Sequence, residues 1–359
     1  MKLIIQIPCL NEAETLPVTL ADLPRQVPGF DSVEWLVIDD GSSDGTSEVA
    51  RAHGVDHIVR HPVNRGLARA FMSGLEAALE AGADVIVNTD ADNQYRAECI
   101  PALVEPILAG RAQMVVGARP IADNPEFSPL KKLLQRLGSW TVRVASGTSI
   151  PDAPSGFRAY HREAALQLYV HNAYTYTLET IIQAGRKGIA LESVPVEVNG
   201  DLRPSRLMKS TADYIRRSIF TIVRIFVVYK PLRFFTFLAF ATALPGLIGI
   251  ARFLVYWAIG DGGGHLQSLI LSGALVATAA IFQMGGLMAD VVAANRRLLE
   301  DIRSRQLRRD IEARRTRPAD AASPVTRGSG PLAPAKAGRQ RAGAKIAGSP
   351  LARGGAARK

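Results

Sequence analysis

The stretch Val85-Ile86-Val87-Asn88-Thr89-Asp90-Ala91-Asp92-Asn93-Gln94 joins an apolar strand to a group of oxygen-bearing side chains. Asp90 and Asp92 are spaced i, i+2, and side chains at that spacing point the same way in an extended chain. Where the chain then turns, both carboxylates and Gln94 can converge on one hard cation. Ligation by oxygen alone suits Mg²⁺ or Mn²⁺ bound to a diphosphate. For an isolated Asp-X-Asp, a solvated acidic turn is the more common explanation, so the rest of the chain has to decide.

Short apolar runs alternate with amphipathic segments along the first half of the chain. The runs are Leu3–Ile7, Trp35–Ile38, His57–Val59, Val85–Val87 and Met114–Val116. The amphipathic segments are Glu12–Leu23, Asp44–Ala52, Leu67–Ala81 and Ile100–Leu108. This alternation predicts an α/β domain with a mostly parallel sheet and helices on both faces.

A polar cluster follows each of these predicted strands. The clusters are Asn11-Glu12, Asp39-Asp40, Asn64-Arg65-Gly66, Asp90 with Asp92, and Arg119. In a parallel sheet, ligands bind beyond the carboxyl ends of the strands. The sequence therefore predicts one binding site along that edge.

Two apolar segments, Leu232–Gly260 and Leu266–Ala289, follow the α/β domain. Each is long enough to cross a hydrocarbon core of about 30 Å, and Arg252 is the one charge in the interior of the first. Basic residues flank the outer ends but not the connecting turn: Arg216, Arg217, Arg224, Lys230 and Arg233 before the pair, and Arg296, Arg297 and Arg303 after it. The positive-inside rule thus predicts a transmembrane hairpin over residues 232–292 with both ends in the cytoplasm. A buried hairpin in a soluble core is the alternative.

The segments beside the hairpin favour contact with a membrane surface. Residues 209–231 predict an interfacial amphipathic helix, although an ordinary core helix fits the same periodicity. Its apolar face consists of Ile215, Ile219, Ile222, Val223 and Phe226. Residues 293–359 predict a basic cytoplasmic tail that is largely disordered, because hydrophobicity is low and no period repeats. No aromatic residues interleave its charges, which favours anionic lipids over a specific nucleic acid as its partner.

The length and composition of the chain indicate how many domains it has and in which cellular compartment it lies. A chain of 359 residues allows one large domain, predicted over residues 1–208, with accessory segments after it. Much of the formal charge of +10 lies in the tail and beside the apolar segments. Cys9 and Cys99 are far apart and indicate no disulfide framework, and Leu3–Ile7 is too short for a signal-peptide core. The domain is therefore expected on the cytoplasmic side of the inner membrane.

Three motifs together resemble the family-two glycosyltransferases of the GT-A fold, over about residues 1–206. They are Ile7-Pro8-Cys9-Leu10-Asn11-Glu12-Ala13-Glu14, Asp39-Asp40-Gly41-Ser42-Ser43-Asp44-Gly45-Thr46 and Asp90-Ala91-Asp92. Within that family, the stretch ending at Gln94, the later Asp152-Ala153-Pro154-Ser155-Gly156-Phe157-Arg158 and two membrane helices most resemble the polyprenyl-phosphate sugar transferases, the dolichol-phosphate-mannose synthase branch. The resemblance implies inverting transfer of a hexose from a nucleotide-sugar to a polyprenyl phosphate such as undecaprenyl phosphate, with Mg²⁺ or Mn²⁺ as cofactor. It leaves a homo-oligomer open.

The same resemblance implies roles for individual residues. The donor would be bound by Pro8, Leu10, Glu12, Val37, Asp39, Asp90, Ala91, Asp92 and Gln94. Asp90, Asp92 and Gln94 would hold the metal–diphosphate. The catalytic residues would be Asp92, Arg119, which balances phosphate charge, and Arg206, in a basic loop that closes over the donor and acceptor phosphates. Asp152 and Glu179 are secondary candidates for a general base.

The chemistry of a lipid phosphate does not require such a base. The acceptor is already anionic at neutral pH, so it needs positioning and charge screening more than deprotonation. Gly156 stands where some membrane-anchored relatives carry an acidic residue, which weakens the assignment of a base. A turn aspartate and a helix-surface glutamate explain Asp152 and Glu179 about as well.

Three other functions fit the sequence less well. A glycolipid synthase acting on the hydroxyl of ceramide or diacylglycerol is the main alternative, but a neutral hydroxyl needs a positioned base. A processive polysaccharide synthase usually carries Gln-x-x-Arg-Trp, a string that the sequence lacks. A membrane-bound scaffold with an inactive nucleotide site is the third, and the presence of all three proposed metal ligands argues against it.

Overall fold

The computed structural model describes residues 1–120, 129–170, 176–200, 220–221, 223–260 and 263–315. Within them, seven strands form one sheet. The strands are β1 (Lys2–Cys9), β2 (Ser32–Asp39), β3 (His57–Arg60), β4 (Val85–Asn88), β5 (Met114–Ala118), β6 (Arg158–His161) and β7 (Leu191–Pro195). Their spatial order is β3-β2-β1-β4-β6-β5-β7, and β6 is antiparallel to both of its neighbours while the other pairs are parallel.

Helices connect these strands. They are α1 (Leu16–Asp22), α2 (Thr46–Ala52), α3 (Leu67–Glu80), α4 (Ile100–Leu108), α5 (Pro129–Ser146), α6 (Arg162–Gln167) and α7 (Thr177–Lys187). All five predicted strands and all four predicted helices are present, which confirms the α/β class. The first helix begins at Leu16 and not at Glu12, because residues 12–15 form a turn at the edge of the sheet.

The central strands are buried on both faces. On β1, Ile4 packs into the apolar cluster that includes α3, whereas Leu3, Ile5 and Ile7 pack into the opposite cluster with α1 and α4. Strands covered on both faces read as continuous apolar runs, which is why the sequence reveals β1, β2 and β4 clearly.

The short strand β6 escaped prediction because its sequence, Arg-Ala-Tyr-His, is neither apolar nor alternating. It pairs antiparallel with β4, so that Arg158 lies opposite Asn88. The loop before β6 is thereby brought to the same edge of the sheet as the residues that follow β4.

Two long helices follow, α8 (Pro231–Ala258) and α9 (Leu266–Arg315), and both are long and apolar enough to cross a membrane. They pack closely as an antiparallel pair: a Cβ at Gly249 would clash with Ser272 Oγ, and one at Gly286 would lie 2.7 Å from Cβ of Phe235. Of their most apolar windows only 11% and 17% is buried. A hairpin at the centre of a soluble core would be buried, so this alternative does not describe α8 and α9.

The helix α9 continues past residue 292, where the sequence predicts the end of the hairpin, to Arg315. Its later turns pack on the α/β domain: Arg303 pairs with Glu76 of α3, and Arg308 pairs with Glu163 of α6. Ile311 is buried in the core cluster of that domain. Residues 293–315 of the predicted tail are thus helical and not disordered, because one face of this basic segment binds the domain. Residues 316–359 lie outside the described residues.

The predicted interfacial helix falls only partly within the described residues. Residues 220–221 and 223–229 are helical. Phe220 and Val223 are exposed, whereas Ile225 and Tyr229 are buried in the core cluster of the domain. This segment therefore has one face on the domain and an apolar face that is uncovered.

Candidate active site

The acidic residues that follow β1, β2 and β4 meet at the carboxyl edge of the sheet. Burial raises the pKa of the Cys9 thiol, at the end of β1, well above its usual value, and nearby carboxylates raise it further. Those carboxylates belong to Glu12, Asp39, Asp44 and Asp90. Residues from three separate loops are thus close enough to act on one group, as the sequence predicts.

The turn after β4 holds the predicted metal ligands together. Asn93 has a φ of +54°, in the left-handed region that asparagine tolerates better than most residues. The backbone N–H of Gln94 donates to Asp92 Oδ1 at 3.2 Å. From the segment after β7, the N–H of Asn199 donates to the Gln94 carbonyl at 2.9 Å, and its Nδ2 donates to the Asn93 carbonyl at 2.9 Å. Asp90, Asp92 and Gln94 therefore share one tightly bonded turn.

The Asp90 carboxyl carries charge that the surrounding protein leaves poorly compensated. Its pKa is raised to about 7, first by burial and then by the charge of Asp92, against the opposing effect of Arg119 and Arg158. A divalent cation at the two carboxylates would remove this repulsion, and oxygen donors suit Mg²⁺ or Mn²⁺. The residues present therefore fit the predicted metal.

The protein supplies only part of a coordination shell at this point. Among the residues that the structure describes, no group of three or more His, Cys, Asp or Glu side chains could hold a metal ion. Mg²⁺ in nucleotide-binding sites usually takes one or two carboxylates together with substrate phosphates and water. Two aspartates with Gln94 beside them match that mode of binding.

Gly156 brings the loop before β6 against Asp90. A Cβ at Gly156 would lie 2.9 Å from Tyr176 Oη and 3.0 Å from Asp90 Oδ2. The side chain of Asn88, the last residue of β4, donates to the Gly156 carbonyl and to Tyr176 Oη, both at 2.9 Å. Tyr95 Oη accepts a hydrogen bond from the Gly156 N–H at 3.0 Å. An acidic side chain does not fit here, so the loop provides no general base at this position.

The guanidinium of Arg158 holds the same loop from inside the protein. Arg158 is fully buried, which is costly for a charge unless it is well hydrogen-bonded. Its Nε donates to the Ser155 carbonyl at 2.8 Å, and Nη2 donates to the Ala153 carbonyl at 2.7 Å. Its Nη1 donates to Thr180 Oγ1 at 2.6 Å and to the Thr177 carbonyl at 2.7 Å. The loop is therefore fixed between β6 and the first turn of α7.

Asp152 orients Arg119, which follows β5. The Nε and Nη2 groups of Arg119 donate to Asp152 Oδ2 and Oδ1 at 2.8 and 3.1 Å. Burial lowers the pKa of Arg119, but Tyr95, Asp152 and Asp90 outweigh it and raise the pKa above its usual value. The Asp152 side chain is 1% exposed and that of Arg119 is 20% exposed. Both oxygens of Asp152 are engaged, so this geometry fits a residue that positions Arg119 better than a general base.

The two aspartates at the end of β2 accept hydrogen bonds from backbone N–H groups of nearby loops. Asp39 accepts from the Ser42 N–H at 2.7 Å and from the Ser47 hydroxyl. Burial favours the neutral carboxyl, but these hydrogen bonds outweigh it and hold the pKa of Asp39 below its usual value. Asp40 accepts from the N–H groups of residues 65 and 66 at 2.9 and 2.8 Å. Asp39 is thus an ionised acceptor, but its side chain is 1% exposed and both of its oxygens already accept hydrogen bonds within the protein, so the contact with a nucleoside stays a prediction.

The other residues predicted to bind the donor differ in their access to the site. Val37 has no exposed surface and packs in the core cluster under the sheet, so direct contact with a nucleotide does not fit its position. Pro8 and Ala91 are also buried, whereas Leu10 is exposed. Glu12 accepts a hydrogen bond from the Thr15 hydroxyl at 2.7 Å. Glu12 is also buried, so Leu10 is the one of these five residues with an exposed side chain.

The remaining catalytic candidate within the described residues, Glu179, acts on a different group. Glu179 lies in the first turn of α7, where its charge acts on Tyr229: burial raises the pKa of the Tyr229 hydroxyl, and Glu179 raises it further. Tyr229 precedes the membrane helix α8 by two residues. Arg206, with the basic loop around it, lies outside the described residues.

The sequence did not predict the buried residues that fix the position of the Gly156 loop. Asn88, Tyr95, Arg158 and Tyr176 hold Gly156 against Asp90, but none was assigned a role. Asn88 could have been predicted, because it is a polar residue in an otherwise apolar strand. Arg158 could also have been predicted, because it is an arginine within a strand. Tyr95 and Tyr176 gave no such signal, because their contacts join segments 61 and 20 residues from Gly156.

Comparison with known proteins agrees with this geometry. The family described as Glycosyl transferase family 2 matches residues 4–168. The undecaprenyl-phosphate mannosyltransferase of Micrococcus luteus is 30% identical over 206 residues, which cover 55% of this chain and 83% of that protein. The polyprenol monophosphomannose synthase of Mycolicibacterium smegmatis is 27% identical over 230 residues, which cover 61% of this chain and 84% of that protein.

A solved structure supports the fold. Glucosyl-3-phosphoglycerate synthase from Mycobacterium tuberculosis, in complex with Mn²⁺, uridine diphosphate and glucosyl-3-phosphoglycerate, superimposes with a TM-score of 0.50 at 22% identity. The match covers 63% of this chain and 78% of that chain. It concerns the α/β domain architecture alone.

Proposed function

The chain belongs to glycosyltransferase family 2, and from that premise we propose that it transfers a hexose from a nucleotide-sugar to a polyprenyl phosphate at the cytoplasmic face of a membrane. The proposed reaction is metal-dependent and inverts the anomeric centre. The names of two relatives support the acceptor class, since they act on undecaprenyl phosphate and on polyprenol phosphate. The matches cover more than four-fifths of each of those proteins.

One observation carries the proposal: Asp90 and Asp92 lie in the hydrogen-bonded turn after β4, and Arg119, oriented by Asp152, is close enough for its charge to act on Asp90. An acidic pair beside an arginine can bind a diphosphate from two sides, with a cation on one and a guanidinium on the other. A guanidinium has five N–H donors, so the two that bind Asp152 leave others for a phosphate. This arrangement suits the departure of a nucleoside diphosphate.

The chain's own residues then position the reactants and screen charge. Bound at Asp90, Asp92 and Gln94, a Mg²⁺ or Mn²⁺ ion would stabilise the leaving diphosphate as a Lewis acid. Arg119, held by Asp152, faces the developing negative charge, and we assign Arg206 to screening of the acceptor phosphate. An anionic acceptor attacks without losing a proton, so a single displacement needs neither Asp152 nor Glu179 as a base.

Contacts at both ends of the hairpin support its insertion from the cytoplasmic side. Lys230, just before α8, donates to the Val144 carbonyl of the α/β domain. Arg303, beyond the apolar part of α9, pairs with Glu76 of the same domain. Because both outer ends contact one domain, a membrane crossed by α8 and α9 has both ends on one side. The basic flanks favour the cytoplasmic side.

The decisive experiment supplies purified protein with undecaprenyl phosphate and radiolabelled UDP-, GDP- and dTDP-sugars, in Mn²⁺ or in EDTA. We expect label in a lipid that mild acid hydrolyses, formed from one donor class and absent with EDTA. Ceramide and diacylglycerol in parallel reactions test the glycolipid alternative. Label in an acid-stable lipid, or full activity in EDTA, would contradict the proposal.

A further inference from the structure

A cavity of about 440 Å³ lies beside the turns of α9 that follow its apolar part. Six basic and two acidic residues line it, together with Tyr229. The volume is within the range of small-molecule pockets in proteins, roughly 300–1,000 Å³. It opens where α7, the residues before α8 and the continuation of α9 come together.

This cavity is separate from the candidate active site. Arg158 binds the first turn of α7 beside the Gly156 loop, whereas the cavity is lined by Gln183, Arg186 and Lys187 near the other end of α7. A helix rises about 1.5 Å per residue, so the two ends of α7 are about 15 Å apart. The basic residues that line the cavity are therefore not expected to bind the nucleotide-sugar donor.

Ion pairs compensate some of the lining charges but not all of them. The buried carboxylate of Glu300 pairs with Lys187 at 3.4 Å and with Arg296 at 3.3 Å. Arg186 and Arg297 instead donate to main-chain carbonyls, at 2.6 and 3.4 Å. In the described part of the chain neither forms an ion pair with a carboxylate within 4.0 Å, so the cavity has an excess of positive charge.

Two further observations point to an anion that fills this space. The buried hydroxyl of Tyr229 lines the cavity and makes no hydrogen bond within 3.5 Å among the described residues, with the Glu179 carboxylate and the Arg296 guanidinium near it. Burial lowers the pKa of Arg186, and repulsion from Arg297 and Arg296 lowers it further. An oxyanion in the cavity would accept from the hydroxyl and relieve the repulsion between the guanidinium groups.

The position of the cavity identifies the source of that anion. Tyr229 precedes α8 by two residues, and Arg296 follows the predicted apolar span by seven. At about 1.5 Å per residue this places Arg296 about 10 Å beyond the apolar span, close to the headgroup region of a bilayer. We propose that the cavity binds the phosphodiester headgroup of an anionic phospholipid from the leaflet in which the hairpin is embedded. The proposal rests on the membrane insertion proposed above but not on sugar transfer.

The test uses the full chain in nanodiscs of phosphatidylcholine, with and without phosphatidylglycerol. We expect native mass spectrometry to show retained phosphatidylglycerol, and the thermal midpoint to rise by about 3 °C when this lipid is present. The double variant Arg186→Gln/Arg297→Gln should bind the lipid about thirtyfold more weakly, because two cations near the surface together contribute about 2 kcal/mol to lipid attraction. Tyr229→Phe should reduce retention while leaving net charge unchanged.

A matched control removes two charges elsewhere. Arg51 and Arg309 are exposed and do not line the cavity, so Arg51→Gln/Arg309→Gln should retain phosphatidylglycerol like the wild type. Equal loss in both double variants would mean that net charge alone attracts the lipid, which overturns the proposal.

A second arm separates a lipid from a soluble anion. Inorganic phosphate and glycerol 1-phosphate are added to protein in phosphatidylcholine nanodiscs. If either anion reproduces the rise in thermal midpoint, and Arg186→Gln/Arg297→Gln abolishes that rise, the cavity binds a soluble anion. This result would contradict the proposal that its ligand is a phospholipid headgroup. If the protein transfers sugar but shows no preference for phosphatidylglycerol, only this inference is overturned. If it prefers phosphatidylglycerol but transfers no sugar, only the proposed reaction is overturned.

Discussion

The edge of the sheet and the cavity beside α9 carry opposite excess charges. At the edge, Asp90 lies beside Asp92, and burial with this repulsion raises the pKa of Asp90 to about 7. In the cavity, Arg186 faces Arg296 and Arg297, and burial with this repulsion lowers the pKa of Arg186. Each region would therefore be stabilised by a ligand of the opposite sign, a divalent cation at the sheet edge and an oxyanion in the cavity.

The two regions differ in how they are built. The acidic turn is held by short hydrogen bonds among buried groups, including those that Asn88 makes to Gly156 and Tyr176. Around the cavity, α9 is held to the domain by the exposed or half-exposed pairs Arg303–Glu76 and Arg308–Glu163, together with the buried carboxylate of Glu300, which pairs with Lys187. Water weakens exposed ion pairs far more than buried hydrogen bonds. Substitutions at the sheet edge should therefore have large effects on activity, and those along α9 small effects on stability.

The largest expected effect tests the acidic side of this comparison. Asp92→Ala should lower the rate of sugar transfer by about 10³-fold, because electrostatic stabilisation of a leaving group is worth several kcal/mol. The thermal midpoint should stay close to that of the wild type. Asp31→Asn, at an exposed aspartate paired with the N-terminus, is the matched control and should transfer sugar normally. Normal transfer by a folded Asp92→Ala protein would show that the turn does not act in the reaction.

The next effect concerns the pair that faces the acidic turn. Asp152→Asn and Arg119→Lys should each lower the rate about 10²-fold, because both remove the bidentate contact that orients the guanidinium. The double variant should be little worse than either single variant, since the two residues act as a unit. Rates from all four proteins complete a double-mutant cycle. If the rate loss of the double variant instead equals the product of the two single losses, Asp152 acts independently of Arg119, which would favour a role as a base.

A smaller effect is expected where the two loops touch. Gly156→Ala places a methyl group 3.0 Å from Asp90 Oδ2, so the loop or the carboxylate must shift. We expect about a tenfold loss of activity and a destabilisation of about 1–3 kcal/mol, the usual cost of overpacking. Gly138→Ala, in α5 with nothing within 4 Å of the new methyl group, is the control for both measurements. Unchanged activity in Gly156→Ala would mean that this contact is looser than the distances indicate.

The comparison also explains what the sequence could predict. Asp90, Asp92 and Arg119 were found because each follows a readable strand, and parallel strands deliver their ends to one edge. The buried partners Tyr95 and Tyr176 depend on side-chain packing between distant segments, which no local pattern records. The cavity escaped for the same reason, since α7 and α9 are more than 100 residues apart where they meet. Low hydrophobicity in residues 293–315 concealed a helix that binds the domain through one face.

The smallest expected effect tests the ionic side of the comparison. Arg303 pairs with Glu76 and lies 4.1 Å from the centroid of the Tyr169 ring. Its side chain is 28% exposed and that of Glu76 is 42% exposed, so Arg303→Gln should cost about 1 kcal/mol or less in urea unfolding. That cost should shrink further in high salt, which screens exposed charges. Arg309→Gln should show no cost at either salt concentration. A loss of several kcal/mol that salt leaves unchanged would mean that the contact between α9 and the domain is buried and rigid, so that the sheet edge and the cavity are held by similar forces.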